Sequence, residues 1–407
     1  MLLGGWRLNI VFIICFVIVA IICWWTIDYH LGRRNHLATS KYTQFPQRKS
    51  DITLITDGDT LYKDLFESIK NSTKSIHVLF FIVKNDEISH EFLTILGEKA
   101  NQGVEVRLLL DYVGSSKLTK KRIQHLKDNG VRFAFTHKPK FPYLFYTTQA
   151  RNHRKITVLD GKISYLGGFN IGKEYLGNDP KLGYWRDFHL KITGEGTADL
   201  QEQFLKDWYD STGENDVDNP QYYPNQPLGK SEHMFISTYG ENLEKHFISF
   251  IRDAKQDILI CSPYFIPGKV ILDELLAALS RGVRVRIMVP MRKDYPLVKE
   301  ASFPYFGPLL LAGCEIYQYY HGFFHAKMIM IDDHLCDIGT ANFDKRSFYL
   351  NDEMNCLIYD REFIQEVKKF VQGDLGRSEL LTYQAYQKRS LFEKGKERFA
   401  TLVSHFL

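Results

Sequence analysis

Two parts of the chain repeat the same succession of apolar and polar positions. In each part an amphipathic helical stripe precedes a short apolar strand, and a second helix and a second strand follow. The predicted elements are 61–69, 76–83, 92–100 and 104–110 in the first part, and 243–254, 258–261, 271–279 and 283–289 in the second. Strand–helix–strand order is typical of parallel sheets covered by helices, so we expect one α/β unit in each half of the chain.

The first residues of the chain follow a different pattern. No charged residue occurs between positions 8 and 27, a stretch of about the length that spans a hydrocarbon core. A retained single-span anchor is favoured over a cleaved signal peptide, because the apolar run is long and no small-x-small site follows it. The only basic residue before the span is Arg7, whereas the basic residues that follow it are Arg33, Arg34, Lys41, Arg48 and Lys49. This bias predicts that the rest of the chain lies in the cytoplasm.

The remaining composition is that of a globular protein, with 44% hydrophobic and 25% charged residues and a formal net charge of +4. Eight Lys or Arg residues and one acid lie between Lys117 and Lys140. The aromatic residues of this region are Phe133, Phe135, Phe141, Tyr143, Phe145 and Tyr146. Such a stretch suits an anionic membrane surface or a nucleic-acid groove, and a merely solvated helix face at 117–127 is the alternative. The six cysteines form no Cys-x-x-Cys pair or metal-ligand spacing, so we expect a reducing compartment, no metal and no cofactor.

A duplicated motif carries the candidate chemistry. The pattern His-x-Lys-x4-Asp occurs twice, and in both copies a small pair and an Asn follow, with the Asn 17 residues after the His. Its residues are His153, Lys155, Asp160, Gly167 and Asn170 in the first copy, and His325, Lys327, Asp332, Gly339 and Asn342 in the second. One copy has little weight, but two copies that agree at five positions indicate a functional repeat.

Each motif predicts a strand, a tight turn and a second strand. The His and the Lys share one face of the strand, because side chains two residues apart point the same way. The two Asp residues fall at the turn, where a structural role is favoured over direct chemistry. Placed face to face, the halves would supply two imidazoles, two ammonium groups and two carboxamides, a set that suits phosphoryl transfer.

Two further acids occupy comparable places in the halves. Asp187 lies 34 residues after His153, and Glu353 lies 28 residues after His325. A carboxylate bonded to one imidazole nitrogen would fix the tautomer and raise the basicity of the other nitrogen. Asp352, beside Glu353, is an alternative for the second half.

The duplicated motif resembles that of the phospholipase D superfamily, and several peptides resemble bacterial cardiolipin synthases in particular. These are Asp111-Tyr-Val-Gly-Ser115, Arg151-Asn-His-Arg-Lys155, Gly167-Gly-Phe-Asn-Ile-Gly172, Trp185-Arg-Asp187, Ser262-Pro-Tyr-Phe-Ile-Pro267 and Asn342-Phe-Asp-Lys-Arg-Ser347. The resemblance covers about residues 50–407. It implies an α/β fold of two tandem phospholipase D-type α/β/α sandwich domains, related by pseudo-two-fold symmetry, after an N-terminal transmembrane helix.

The expected organisation has five parts. They are a membrane anchor at 1–31, a juxtamembrane basic linker at 32–50, a first domain at 51–210, a linker at 211–232, and a second domain at 233–407 with an amphipathic C-terminal end. Members of the resembled group often carry two N-terminal spans, whereas this chain has one, which suggests a shorter, secondary type of synthase. Oligomeric state does not follow from the sequence.

The resemblance also implies a reaction. A phosphatidyl group would pass between two phosphatidylglycerol molecules, donor and acceptor, through a phosphohistidine and with release of glycerol. His153 would attack, with Asp187 orienting it, while His325 would begin protonated and supply the proton to glycerol. The phosphate oxygens would be held by Lys155, Lys327, Asn170 and Asn342.

Other activities remain open at this point. They are another phosphatidyl transfer, hydrolysis of phospholipids, and, in a different class, cleavage of nucleic acid by a membrane-tethered phosphodiesterase. We expect no nucleic-acid partner, because the anchor, the basic-aromatic stretch and the apolar C-terminal end favour lipid. That end comprises Leu391, Phe392, Phe399, Leu402, Val403, Phe406 and Leu407.

Overall fold

The computed structural model describes residues 2–40 and 42–406, with side chains from residue 12 onward. Lys41, Leu407 and the side chain of Arg7, which entered the expectations above, lie outside this description. Helix α1 (Leu2–Thr39) contains the predicted anchor. Within its segment Phe12–Thr39, an 18-residue window has a mean hydropathy of 2.2 and is 6% buried, so the helix is long and apolar enough to cross a membrane. The helix continues past residue 31 into the stretch expected to be a juxtamembrane linker at 32–50.

The first half of the chain builds nine strands and five helices after α1, counted over its described residues. They are β1 (Thr43–Gln44), β2 (Arg48–Ile55), α2 (Gly58–Asn71), β3 (Ser75–Phe80), α3 (Glu87–Asn101), β4 (Glu105–Asp111), α4 (Lys120–Asp128), β5 (Arg132–Thr136), α5 (Leu144–Gln149), β6 (Ile156–Leu159), β7 (Ile163–Gly167), β8 (Trp185–Arg186), β9 (His189–Gly194) and α6 (Gly196–Thr212). A connection without long elements, containing one 3₁₀ turn at Pro220–Tyr222, leads to the second half.

The second half repeats this order. Its elements are β10 (Ser231–Tyr239), α7 (Leu243–Asp253), β11 (Asp257–Cys261), β12 (Phe265–Ile266), α8 (Gly268–Ser280), β13 (Arg284–Pro290), α9 (Val298–Leu311), β14 (Glu315–Tyr319), β15 (Phe323–Phe324), β16 (Met328–Ile331), β17 (Leu335–Gly339), β18 (Phe343–Asp344), α10 (Lys345–Tyr349), β19 (Asp352–Ile358), α11 (Arg361–Leu375), β20 (Ser378–Leu380), α12 (Tyr383–Gln387) and α13 (Leu391–Val403). The strands before each motif and the hairpin after its lysine correspond between the halves.

The long strands of both halves form one continuous sheet. Its order is β20-β14-β13-β11-β16-β17-β19-β10-β2-β9-β7-β6-β3-β4-β5. The halves meet where β2 and β10 pair antiparallel, with Ser50 opposite Ser231 and Arg48 opposite His233. Outward from this junction, β10, β19, β17, β16, β11, β13 and β14 correspond in order to β2, β9, β7, β6, β3, β4 and β5. This correspondence is the expected pseudo-two-fold relation. The expectation of parallel sheets is correct only for β3-β4-β5 and β11-β13-β14, because the motif hairpins and their neighbours run antiparallel.

Helices cover both faces of this sheet. Alternate residues of a strand face opposite sides, so in β4 Leu109 joins one core while Leu108 and Leu110 join another. On one face α6 and α11 pack over a core shared by the two halves. On the other face α2 and α3 cover the first half, and α7, α8 and α9 cover the second. The result is an α/β/α sandwich whose two domains share a sheet and one hydrophobic core.

The motif aspartates hold the turns of the two hairpins. Asp160 has a φ of 53°, and its carboxylate accepts backbone N–H bonds from Thr73, Lys74 and Ser75 at 2.7–3.2 Å. Burial raises the pKa of Asp160, but these donors outweigh that effect and the net pKa lies below its usual value. Asp332 has a φ of 48° and accepts three N–H bonds from residues 255–257 in the same way.

Replacement of Asp160 by Asn is expected to lower the free energy of unfolding at neutral pH by about 1–3 kcal/mol. The N–H groups of residues 73–75 would then lose their negatively charged acceptor. The folded pKa is depressed, so this stabilisation is present above the unfolded pKa of about 3.9 and is lost as the pH falls below it. Denaturant titrations in detergent at neutral and acidic pH, with the exposed Asp218→Asn as control, measure the difference. Equal stability of the two variants at neutral pH would contradict this role.

Candidate active site

Each His-x-Lys segment lies just before its strand, in extended backbone that bonds to the other half of the chain. The N–H of His153 donates to the carbonyl of Asp352, and the N–H of Asp352 donates to the carbonyl of Arg151, both at 2.9 Å. In the second half, β15 pairs parallel with β8, and the N–H of His325 donates to the carbonyl of Arg186 at 2.6 Å. The segment that carries each histidine is therefore fixed beside the acid-bearing segment of the opposite half.

The carboxylates are exchanged between the halves. Nδ1 of His153 lies 2.9 Å from Oε2 of Glu353, and Nδ1 of His325 lies 2.5 Å from Oδ2 of Asp187. The expectation that Asp187 orients His153 is wrong, because the backbone pairing described above brings each acid to the partner histidine. A carboxylate only accepts, so each imidazole presents Nδ1–H to it and turns Nε2 to the site.

Asp352, the alternative to Glu353, has different neighbours. Its carboxylate lies 3.3 Å from Nε2 of His137 and 3.5 Å from the guanidinium of Arg154. Nε2 of His36, near the end of α1, is 3.8 Å away. Glu353 is thus the acid that contacts a motif histidine. Asp352 instead lies near His36 of the membrane helix and so connects that helix with the segment that carries Glu353.

The environments of the two carboxylates differ. Glu353 also accepts from the hydroxyls of Thr340 at 2.6 Å and Ser347 at 2.9 Å. At the position equivalent to Thr340, a Cβ on Gly168 would collide with Oδ1 of Asp187, so the missing side chain makes room for that acid. The small pair after each motif Asp is visible in the sequence, but its contact with the acids follows only from the geometry across the halves.

The motif lysines are buried and belong to one electrostatic site. Nζ of Lys155 donates to the carbonyl of His153 at 2.7 Å, and Nζ of Lys327 lies 3.4 Å from Oδ2 of Asp187. Burial, with a contribution from Lys327, lowers the pKa of Lys155 to about 7 despite nearby Glu353. Burial likewise lowers the pKa of Lys327. The charge of Lys327 thus acts on Lys155 of the other half.

Burial disfavours the charged form of both motif histidines. Burial lowers the pKa of His153, and both Lys155 and Lys327 act in the same direction against Glu353. Burial and Lys327 lower the pKa of His325 to about 3 despite Asp187. This differs from the expectation that His325 begins protonated. Buried ammonium groups without a bound anion disfavour a further positive charge, so protonation would have to accompany the binding of an anion.

Aromatic side chains wall the site, and sequence reasoning did not assign them a role. The ring of Phe81 lies 5.0 Å from that of His153, edge to face. Trp185 and Tyr264 lie 4.8 and 6.2 Å from the ring of His325. Their presence in or just after apolar strands was visible in the sequence, but their direction depended on the fold. They supply the low-dielectric surroundings that strengthen charge interactions in the site.

The motif asparagines partly serve the scaffold. Oδ1 of Asn170 accepts from the N–H of Ile82 at 3.0 Å, and its amide donates to the hydroxyl of Tyr175 at 3.2 Å. The backbone N–H of Asn342 donates to Ser347 Oγ at 3.0 Å. Each amide nitrogen has two hydrogens, so a donor to a ligand remains available on Asn170. Contact of these asparagines with phosphate stays a prediction.

Some predicted site residues lie elsewhere. Asp160 and Asp332 stand at the far turns of the hairpins, about 20 Å from their histidines along extended chain. In the basic-aromatic stretch, Phe133 and Phe135 pack on a core, and Tyr143, Phe145 and Tyr146 pack with α1 residues. Only Phe141 of those aromatics is exposed. Over residues 12–40 and 42–406, no group of three or more His, Cys, Asp or Glu side chains is placed to hold a metal ion.

The fold matches that of a solved phosphatidylserine synthase. This protein, from Haemophilus influenzae Rd KW20, superposes with a TM-score of 0.70 over 89% of this chain and 97% of that one, at 17% identity. At the level of sequence, residues 65–208 and 247–375 match the family model described as cardiolipin synthase, phospholipase D-like domain. The chain therefore belongs to the phospholipase D-like cardiolipin synthase family, and it is a phosphatidyltransferase.

Curated relatives extend the likeness over nearly the whole chain. A minor cardiolipin synthase of Bacillus subtilis (strain 168) is 44% identical over 98% of this chain and 100% of its own length. A cardiolipin synthase of Staphylococcus aureus (strain N315) is 40% identical over 88% of this chain and 74% of its own. Together with α1, these relatives indicate a membrane protein.

The exchanged pairing predicts which histidine responds to which acid. Glu353→Gln should shift the imidazole ¹⁵N resonances of His153 and leave those of His325 nearly unchanged, because only His153 bonds to Glu353. Asp187→Asn should do the reverse. Spectra of ¹⁵N-histidine-labelled protein in detergent measure both, with Asp352→Asn as the neighbouring-carboxylate control. A response of His325 to Glu353→Gln would contradict the geometry.

The lowered lysine pKa predicts a pH dependence. Lys155 is protonated below its pKa of about 7 and loses its charge above it, so kcat/KM for an anionic phospholipid should fall as the pH rises past this value. Lys155 is coupled to the other charged groups of the site, so the apparent pKa of this alkaline fall in rate belongs to these groups together. Initial rates in mixed micelles, with micelle size monitored at each pH, measure it. A profile that is flat from neutral to alkaline pH would exclude this role for the lysine charge.

Proposed function

We propose that the protein is a cardiolipin synthase that transfers a phosphatidyl group from one phosphatidylglycerol to another and releases glycerol. The observation that supports this most is the buried pair of imidazoles, each held by the carboxylate of the other half and each followed two residues later by a buried lysine. Relatives named cardiolipin synthase share 40–44% of their residues with this chain over the same region. Site and relatives support the same class of reaction.

The first step would form a phosphohistidine. Nε2 of His153 attacks phosphorus, the bond from phosphorus to the glycerol headgroup oxygen breaks, and His325 gives its Nε2 proton to that oxygen. The bound phosphodiester brings the negative charge that the free site lacks, so its binding would raise the pKa of His325 and let it take up a proton from water. Glu353 would keep His153 in the reactive tautomer, and Asp187 would stabilise the cation on His325.

The second step would form cardiolipin. His325, now neutral, accepts the proton of the acceptor's primary hydroxyl, whose oxygen attacks phosphorus while the bond to His153 breaks. His325 is then protonated and returns this proton to water when the product leaves, so the proton taken up on substrate binding is balanced over each turnover. Lys155 and Lys327 would hold the phosphate oxygens throughout, with donors from Asn170 and Asn342, which is the electrostatic stabilisation that phosphoryl transfer requires. The assignment of attack to His153 follows chain order in the resembled family.

The site would face the cytoplasmic leaflet. Arg33 of α1 donates to the carbonyl of Gly240 at 3.0 Å, just after the end of β10 whose Thr238 lies opposite Glu353. The membrane helix therefore contacts the end of the central strand β10, which pairs with the strand that carries Glu353. Arg33 and Arg34 follow the uncharged segment, which supports a cytoplasmic location of the domains. Protection of the domains from protease in inside-out vesicles would contradict this orientation.

Product analysis tests the reaction. Full-length protein supplied with phosphorus-labelled phosphatidylglycerol should form labelled cardiolipin and one glycerol per cardiolipin, and His325→Ala should lower the rate by at least about 10³-fold. His334→Ala is the matched control, because this imidazole is largely exposed and lies at the far turn of the same hairpin. Labelled phosphatidate without cardiolipin would assign the protein as a hydrolase. Acid-labile label on the His325 peptide, and none on that of His153, would reverse the two roles.

A further inference from the structure

Helix α13 presents an unpaired apolar face to solvent. The side chains of Leu391, Phe392, Phe399 and Leu402 are all exposed, Leu402 by 82%. At about 100° per residue these four positions fall within one sector of about 100°. The opposite side is buried, with Ala400 packed against Val298 and Ala301 near the start of α9. The helix is thus held by one face, and its apolar stripe points outward.

The residues on either side of this apolar stripe are those typical of a helix that lies on a membrane surface. The exposed cations Lys394, Lys396 and Arg398 flank it, and this charge suits anionic headgroups. A capping box at Ser390 and Glu393 fixes the first turn, so the helix does not need a partner protein to form. Exposed patches of this kind mark interaction sites.

The end of α13 contacts the membrane helix at the depth of its interface. The rings of His405 and Phe406 lie 5.2 and 5.7 Å from that of Tyr29, two residues after the uncharged segment ends. Trp25 stacks on Phe145 at 5.1 Å, and Phe145 contacts Phe406 at 5.6 Å. Aromatic side chains concentrate at the membrane–water boundary, so the C-terminal segment meets α1 where the bilayer surface lies.

The same segment contacts the second motif. Nζ of Lys345 donates to Ser404 Oγ at 2.9 Å, and Arg346 donates to the carbonyl of Phe406 at 3.1 Å. The next residue, Ser347, donates to Glu353, the acid on His153. A few direct contacts thus connect the segment after α13 with Glu353.

We propose that α13 is a second membrane contact: it lies in the headgroup region of the bilayer that α1 crosses, with its apolar stripe among the acyl chains and its cations on anionic lipid. One transmembrane helix can tilt in the bilayer together with the domains packed on it, whereas α1 and α13 together would fix the orientation of the domains at the surface. The proposal concerns membrane contact and does not depend on which reaction the site performs.

Depth measurement on the full chain tests it. Cys15 and Cys23 are replaced by Ser, while Cys261, Cys314, Cys336 and Cys356 are buried and stay. An environment-sensitive fluorophore is attached to Leu402→Cys or to Leu228→Cys, a control whose leucine is 70% exposed in the connection between the halves. Both proteins are reconstituted in vesicles of phosphatidylcholine and phosphatidylglycerol, and circular dichroism confirms equal helix content.

The label at 402 should be quenched by nitroxide lipids and reached by aqueous iodide at least about threefold less than the label at 228. A Phe399→Asp substitution should restore iodide access at 402, whereas Val270→Asp, on the exposed surface of α8, should not. Equal iodide access at 402 and 228 would overturn the proposal. So would shielding at 402 without quenching by nitroxide lipids, because protein and not lipid would then cover the stripe.

Discussion

The pairing of each His-x-Lys segment with the acid-bearing segment of the opposite half is the constraint on which the site depends. His153 is fixed by the backbone and carboxylate of the segment Asp352–Glu353, and His325 by the segment Arg186–Asp187. Neither half alone holds a histidine in a defined tautomer. The continuous sheet through β2 and β10 and the core shared beneath α6 and α11 keep the halves in the register that this exchange requires.

The same exchange places unusual charge in a buried space. Two lysines and two carboxylates lie out of contact with bulk water, and each carboxylate retains a pKa below its usual value because lysine and histidine groups outweigh the effect of burial. The lysines have lowered pKa values in return. Such a site is completed by an anion, since one negative charge between the lysines relieves their repulsion and favours protonation of an imidazole. A phosphodiester meets this requirement.

The sequence predicted the repeat, the α/β class and the motif residues, because these follow from spacing and from local patterns of apolar positions. It could not predict the exchange, since each acid follows the histidine of its own half at a comparable spacing and symmetry allows either pairing. It also did not separate the parallel from the antiparallel strands. The aromatic stretch after Lys140 was interpreted as membrane surface, whereas Tyr143 and Tyr146 pack with α1, a contact between distant parts of the chain.

The most direct measurement of the central claim is an experimental structure of the full chain with bound tungstate or vanadate, which mimics a phosphate in transfer. The account predicts one anion, bonded or nearly bonded to Nε2 of one motif histidine, with Lys155 and Lys327 both in contact and Glu353 on Nδ1 of His153. Two separate anions, one in each half, or Asp187 on His153, would contradict it.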